Sequence, residues 1–298
     1  MSLSVDRGTT HVQHHVGHDH GNTPLLKALI FTLGFAFIEA VAGVWSGSLA
    51  LLSDAGHMLT DSMALGLAAM AAWLARKPPS RRHTYGLVRL EILAALVNSL
   101  IMLGLITYIA IEAVDRLAHP QPVVGEAVMV VAAIGLGVNL VVAWMLHHGG
   151  DSLNIRAAFL HVLGDLLGSV AALVAGLVIW TTGYTPIDPI LSLLVAGLIL
   201  VSAWRLLWES VHVLLESVPA HINIDTVAHD LAHIPGVLRV HDLHIWTLSS
   251  GQIALSAHLE LASFEDWDRI LRASRRRLDE HHGIRHVTLQ PELKNKPI

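Results

Sequence analysis

The sequence predicts an α-helical membrane protein with six transmembrane helices, followed by a small C-terminal α/β domain of order αββαβ. Three observations carry that reading. Of the 298 residues 53% are hydrophobic and only 14% are charged, a balance too apolar for an ordinary soluble chain. Six apolar runs, at 25–45, 49–75, 90–116, 123–147, 157–181 and 187–209, each reach the roughly 20 residues a helix needs to cross about 30 Å of hydrocarbon. Beyond about residue 212 the composition changes to that of a soluble domain.

The elements follow in chain order. Residues 1–22, "MSLSVDRGTTHVQHHVGHDHGN", are polar, so they predict a disordered tail and no cleavable signal peptide. His11, His14, His15, His18 and His20 make that tail a compositional metal-binding tract, which reads equally as a weak zinc-gathering arm or as a plain solvated tail. Residues 23–212 form the membrane domain. Its spans are separated by turn chemistry in "WSGS", "RKPPSRR", "HPQP", "HHGGDS" and "TTGYTPIDP". Arg76, Lys77, Arg81, Arg82 and Arg89 crowd the loop between spans two and three, whereas the loops 45–48, 117–123 and 182–188 hold no Lys or Arg. The positive-inside rule therefore places both termini in the cytoplasm. Residues 213–298 form the soluble domain: a helix at 223–233, strands "VLRVHDLHIW" and "QIALSAHLE" joined by "TLSSG", an amphipathic helix at 264–282, and a last strand in "IRHVTLQPE". At roughly 85 residues it holds only a modest core, which pairing in a dimer would support.

Composition also excludes. There is no cysteine, so disulfides and thiolate metal sites are ruled out, while 21 histidines supply abundant imidazole. A net charge of -5 without a basic-aromatic pattern argues against a nucleic-acid partner. There is no Gly-rich phosphate loop with its Lys, so no nucleotide is expected.

Charged groups within a bilayer cost several kcal/mol each, by estimates that differ widely, so those the spans retain point to function. Span two carries His57 and Asp61 in "AGHMLTDSMA", four apart and so on one helix face. Span five carries His161 and Asp165 at the same spacing in "FLHVLGDLLG". A single His in an apolar helix reads equally as a helix-packing hydrogen-bonder, and one His-x-x-x-Asp pair is weak evidence for a metal. Two pairs in separate spans, with the helices side by side, assemble two imidazoles and two carboxylates, a set that suits tetrahedral Zn²⁺. A divalent cation with two carboxylates is neutral, which lowers the cost of burying the cluster. Gly56, Gly164 and Gly168 are expected to let the helices approach closely. Glu39 and Asp54 are further carboxylates in spans one and two, open to a packing role or to hydration and proton relay. Asn98 and Asn139 read as interhelical hydrogen-bonders.

The stretches "SDAGHMLTDS", "RRHTYGLVRLEILAALVN", "RAAFLHVLGDLLGS" and "VHDLHIWTLSSG" make the chain resemble the cation diffusion facilitator family over nearly all of residues 25–292, most of all its bacterial zinc exporters of the cobalt–zinc–cadmium resistance type. The resemblance implies a homodimer, a cytoplasmic metallochaperone-like domain, and efflux of divalent metal in exchange for protons from a bacterial inner membrane. The family's transport-site positions match His57, Asp61, His161 and Asp165. A His in the span-two pair goes with zinc selectivity, with Cd²⁺ or Co²⁺ as further candidate cargo. In the soluble domain the resemblance points to a regulatory zinc site, with His241, His258 and Glu292 fitting its positions best and His286 beside them. His241 and His244 are three apart on a strand and are expected on opposite faces. In the loop between spans two and three His83 matches one position of a further family site, but Ser80 and Leu87 stand where its partners are expected. The chemistry supplies a mechanism: metal and protons compete for the same four groups, and alternating access couples their flows. An enzyme is not expected, because an intramembrane metalloprotease needs a general-base Glu such as that of His-Glu-x-x-His, which is lacking. A membrane zinc sensor that binds without transport is the other alternative.

Overall fold

The computed structural model describes residues 22–147, 153–249 and 251–294, and within them all side chains but those of 22–28, 146, 153–158, 160 and 161. The expectation of a disordered His-rich tail falls on residues outside these, apart from Asn22.

Eleven elements follow one another: α1 (Asn22–Ser46), α2 (Leu49–Ala75), α3 (Leu90–Ala118), α4 (Gly125–His147), α5 (Leu153–Thr182), α6 (Ile187–Leu214), α7 (Ile224–Ala232), β1 (Val237–Ser249), β2 (Gln252–Leu261), α8 (Trp267–His282) and β3 (His286–Leu293). Among the described residues α1 to α6 are the six helices long and apolar enough to cross a membrane. Their outward faces carry large apolar side chains with no protein cover, among them Phe37, Val44, Trp45, Ile111, Val201 and Trp208, as a lipid solvent requires.

Inside the bundle α2 contacts α1, α3, α5 and α6, while α4 lies along α5 and α3 along α6. The α4–α5 seam is tight because two glycines line it. A Cβ on Gly125 would stand 2.7 Å from the Trp180 backbone nitrogen, and one on Gly176 would stand 2.5 Å from that of Met129. Of the glycines expected to bring site helices together, Gly168 on α5 meets Asp54 of α2 and Gly56 on α2 meets Leu105 of α3. A Cβ on Gly164 would meet nothing within 4 Å, and Gly168 makes room for the Asp54 carboxylate.

At the end of the bundle away from the soluble domain, α2 begins on a buried cap. Ser48 accepts from the Leu51 amide and donates to Asp188 at the start of α6. Asp188 also accepts from the Leu49 and Ala50 amides at 2.6 and 3.3 Å. Arg116, near the end of α3, donates to the Gly47 carbonyl.

The soluble domain has a three-stranded sheet of order β1-β2-β3, with β1 antiparallel and β3 parallel to the central β2. Val227, Leu231, Leu255, Leu259, Ile270 and Leu278 lie in one core between the helices and the sheet. Asp230 of α7 ties α8 in place, accepting from His282 (2.9 Å), Arg277 (3.0 Å) and His281 (3.3 Å). The His282 hydrogen bond, with help from His281 and Arg277 and against partial burial, holds the Asp230 carboxyl down at about 2. The domain meets the membrane part through Arg89 and Glu216, 2.8 Å apart, and through the Tyr85 ring, which stands edge-on to His286.

Candidate metal centres

The membrane centre starts from α2. Its face toward α5 carries His57 and Asp61 one turn apart, and between them Thr60 donates to the Gly56 and His57 carbonyls and rests on Met102 of α3. Across from them on α5 stands Asp165, 1% exposed. His57 Nδ1 lies 3.5 Å from Asp61 Oδ2, and its Nε2 lies 3.7 Å from Asp165 Oδ1. One imidazole thus faces two carboxylates from two helices. His161 stands on α5 one turn before Asp165, and its side chain is outside the described part. A cavity of about 320 Å³ opens on His57 and Asp61, with Asp54, Asn98, Ser99 and Ser202 also in its wall. Nitrogen and oxygen donors converging beside a cavity in an apolar bundle suit a divalent transition metal.

The second centre lies on the sheet. His241 of β1 pairs in register with His258 of β2, their ring centroids 5.2 Å apart. Glu292 of β3 joins them: its Oε2 is 3.0 Å from His241 Nε2 and its Oε1 is 2.8 Å from His258 Nδ1. Among the described residues these three bring one ligand atom each within 4.8 Å of one another. His286 does not join them. The parallel register sets it opposite Ala254, while Glu292 sits opposite Glu260, so about 20 Å of strand separates the two at about 3.3 Å per residue. His286 packs on Tyr85 instead.

The strand parity expected for His241 and His244 is also corrected. His241 pairs with His258 and His244 with Ser256, so three steps on β1 oppose two on β2. That is a bulge, and the extra residue returns both histidines to one face. It also turns up a residue that sequence reasoning missed. Asp242, with φ 50, reaches His244 Nε2 at 3.1 Å and His258 Nε2 at 3.6 Å. In the α2–α3 loop His83 contacts Ser80 across a turn.

Two family models cover this architecture: "Cation efflux transmembrane domain" over residues 25–215 and "Cation efflux protein, cytoplasmic domain" over 219–294. The chain belongs to the cation efflux family. This is the family of the cation diffusion facilitators, metal transporters rather than enzymes, so the chain is a multi-pass membrane protein with a cytoplasmic C-terminal domain. It is 44% identical over 286 residues to the zinc transporter ZitB of Pectobacterium atrosepticum, covering 93% of this chain and 89% of that protein. It is 40% identical over 287 residues to the "Cadmium, cobalt and zinc/H(+)-K(+) antiporter" of Bacillus subtilis, covering 93% and 92%. A solved structure, the metal-bound C-terminal domain of the CzcD transporter from Cupriavidus metallidurans, matches 24% of this chain and all of that one at 33% identity, with a TM-score of 0.23.

Proposed function

We propose that this chain exports Zn²⁺ from the cytoplasm in exchange for protons, as a homodimer in a bacterial inner membrane with both termini inside. Zinc is the cargo, Cd²⁺ and Co²⁺ are secondary candidates, and the ligands are His57, Asp61, His161 and Asp165. The observation that carries the reading is the convergence of Asp61 and Asp165, from two spans, on the His57 imidazole, beside a cavity within the bundle that His57 and Asp61 line. The relatives from Pectobacterium and Bacillus, a zinc transporter and a cadmium, cobalt and zinc/H(+)-K(+) antiporter, support it.

The ligands supply the coupling. Zinc requires neutral imidazoles and ionised carboxylates, so its arrival releases protons and proton uptake displaces it. Open to the cytoplasm, the site loads zinc. Open to the more acidic outside, it exchanges zinc for protons. No phosphate chemistry is needed. His241, His258 and Glu292 are assigned a separate regulatory zinc site in the cytoplasmic domain, whose two imidazoles and one carboxylate fit that ion.

The test is zinc flux into vesicles containing the purified protein, with and without a pH gradient. Flux should rise with the gradient. Asp165→Ala, which removes a ligand and one of the two balancing charges, should abolish flux while the folded protein remains. Zinc binding without flux would leave a sensor instead. Wild-type flux in Asp165→Ala would refute the four-ligand site.

A further inference from the structure

Beside the zinc cavity, toward α1 and α4, several acceptor oxygens are buried without a hydrogen-bond partner among the described residues. Glu39 of α1 is 0% exposed, and both its carboxylate oxygens lack a donor. Asp54 of α2 is 2% exposed, and its Oδ1 lacks one. Asn139 of α4 is fully buried, and its carbonyl Oδ1 lacks one. The bundle keeps room for these groups. A Cβ on Gly135 of α4 would stand 3.0 Å from Glu39 Oε1, and one on Gly168 of α5 would stand 2.3 Å from Asp54 Oδ1. Asn139 turns its amide nitrogen to Ser169 at 3.1 Å, and the Ser169 hydroxyl points to Asp54 Oδ2 at 3.4 Å. The charged groups acting on Glu39 are Asp54 from α2 and Asp165 from α5, both of its own sign, while α4 meets it at Gly135, one turn before the uncharged Asn139.

Both oxygens of Glu39, one of Asp54 and the Asn139 carbonyl, without donors among the described residues of an apolar bundle, call for a cation. The oxygens decide which kind. With no imidazole in the set, these oxygens favour a proton or a hard alkali cation over zinc. Asp54 lines the same cavity as His57 and Asp61, so the oxygen cluster adjoins the zinc site and interacts with it electrostatically. We infer that Glu39, Asp54 and Asn139 form a counter-cation site. It fills when zinc leaves the neighbouring cavity. It empties when zinc returns, because a divalent charge arriving next to it repels the resident cation. The exchange is then coupled through two adjoining sites and not through the zinc ligands alone.

The inference rests on the transport reading, so the unmutated protein is measured first. Zinc flux into vesicles is followed with a pH gradient alone, in N-methylglucamine buffers free of alkali cations, and with a potassium gradient alone at equal pH. Flux driven by the first identifies the counter-cation as the proton, and flux driven by the second identifies it as the alkali ion. Flux indifferent to both overturns the counter-cation site while leaving zinc transport standing. Absence of zinc flux in every arm refutes the transport reading on which this one rests.

Glu39→Gln then removes the charge and keeps the shape. Its gradient-driven flux should fall by about tenfold or more, the size of an ordinary coupling between two binding sites. Zinc should still bind by calorimetry, because Glu39 is not a zinc ligand, but its affinity should depend less on the counter-cation than in the wild type, because the coupling between the two sites is reciprocal. Wild-type gradient dependence in Glu39→Gln overturns the proposal. So does a loss of zinc binding as large as that of Asp165→Ala, which would place Glu39 in the zinc site. Asn139→Ser, which shortens the amide to a hydroxyl, offers a second route should Glu39→Gln not fold, with the same expected and contrary results.

Discussion

His57 sets its two ring nitrogens toward different helices, one to Asp61 on its own and one to Asp165 on α5. An imidazole so placed holds the two carboxylates apart by its own width and offers the one nitrogen that α2 brings to the cavity. Nitrogen favours Zn²⁺ over harder cations, whereas carboxylate oxygen is shared more evenly among Zn²⁺, Cd²⁺ and Mn²⁺. His57→Asp exchanges that nitrogen for oxygen, adds a negative charge, and leaves a wider cavity because the side chain is shorter. The variant should keep some zinc transport and raise its Cd²⁺ or Mn²⁺ rate relative to zinc by about fivefold or more, a difference of roughly 1 kcal/mol. Initial uptake of the three ions at one fixed pH gradient, with wild type measured alongside, makes the comparison. Unchanged ratios at comparable zinc flux would remove His57 from the residues that set selectivity.

At the scale of elements, the buried cap between α2 and α6 fixes where the ligand-bearing helix begins. Asp188 receives the Ser48 hydroxyl and the first amides of α2 together, as a carboxylate at a helix N-terminus does. Asp188→Ala leaves those donors buried without an acceptor, at a cost of about 1–3 kcal/mol. Thermal unfolding in detergent should show the loss, with Asp188→Asn falling between wild type and Ala because it keeps one acceptor oxygen. An Ala variant as stable as wild type would mean that water takes over the donors. The spans themselves were readable in the sequence, because an uninterrupted apolar run of membrane length has few other uses. How the spans pair was not. Gly168 does meet α2, but Gly164 meets nothing, and the α4–α5 seam at Gly125 and Gly176 was not foreseen, since a small residue matters only where a neighbour happens to face it. The bulge at Asp242 was equally hidden. Strand parity is read by counting, and one unpaired residue reverses the count without any change in composition. Asp188 escaped for a related reason: its partners lie about 140 positions away along the chain.

Across the whole molecule, the cytoplasmic domain abuts the basic loop that leads from α2 into α3. A cleft of about 900 Å³ opens between that loop and the sheet, bordered by His83, Tyr85 and Arg89 on one side and by His244 and Trp246 on the other. Strand β3 reaches both places, with Glu292 in the sheet cluster and His286 against Tyr85. A zinc ion on His241, His258 and Glu292 would clamp β1, β2 and β3 together and so stiffen the strand that touches the loop. Three protein ligands leave one tetrahedral position, while Asp242, 3.6 Å from His258 Nε2, faces the ring nitrogen turned away from Glu292 and so steadies the imidazole. The domain has its own core, so a fragment of residues 213–298 allows a direct measurement. Zinc at about 100 times its dissociation constant should stabilise that fragment by about 2.7 kcal/mol. For a domain of this size that corresponds to a rise of about 10 °C or more in melting temperature. Glu292→Ala should abolish most of the rise, because it removes the only ligand from β3. Asp242→Gly should reduce the rise while keeping binding measurable, and because glycine adopts the left-handed backbone at φ 50 freely, the zinc-free fragment should be no less stable. Calorimetry of the wild-type fragment that records no zinc binding would reduce the cluster to a polar network on the sheet surface and confine zinc to the membrane cavity.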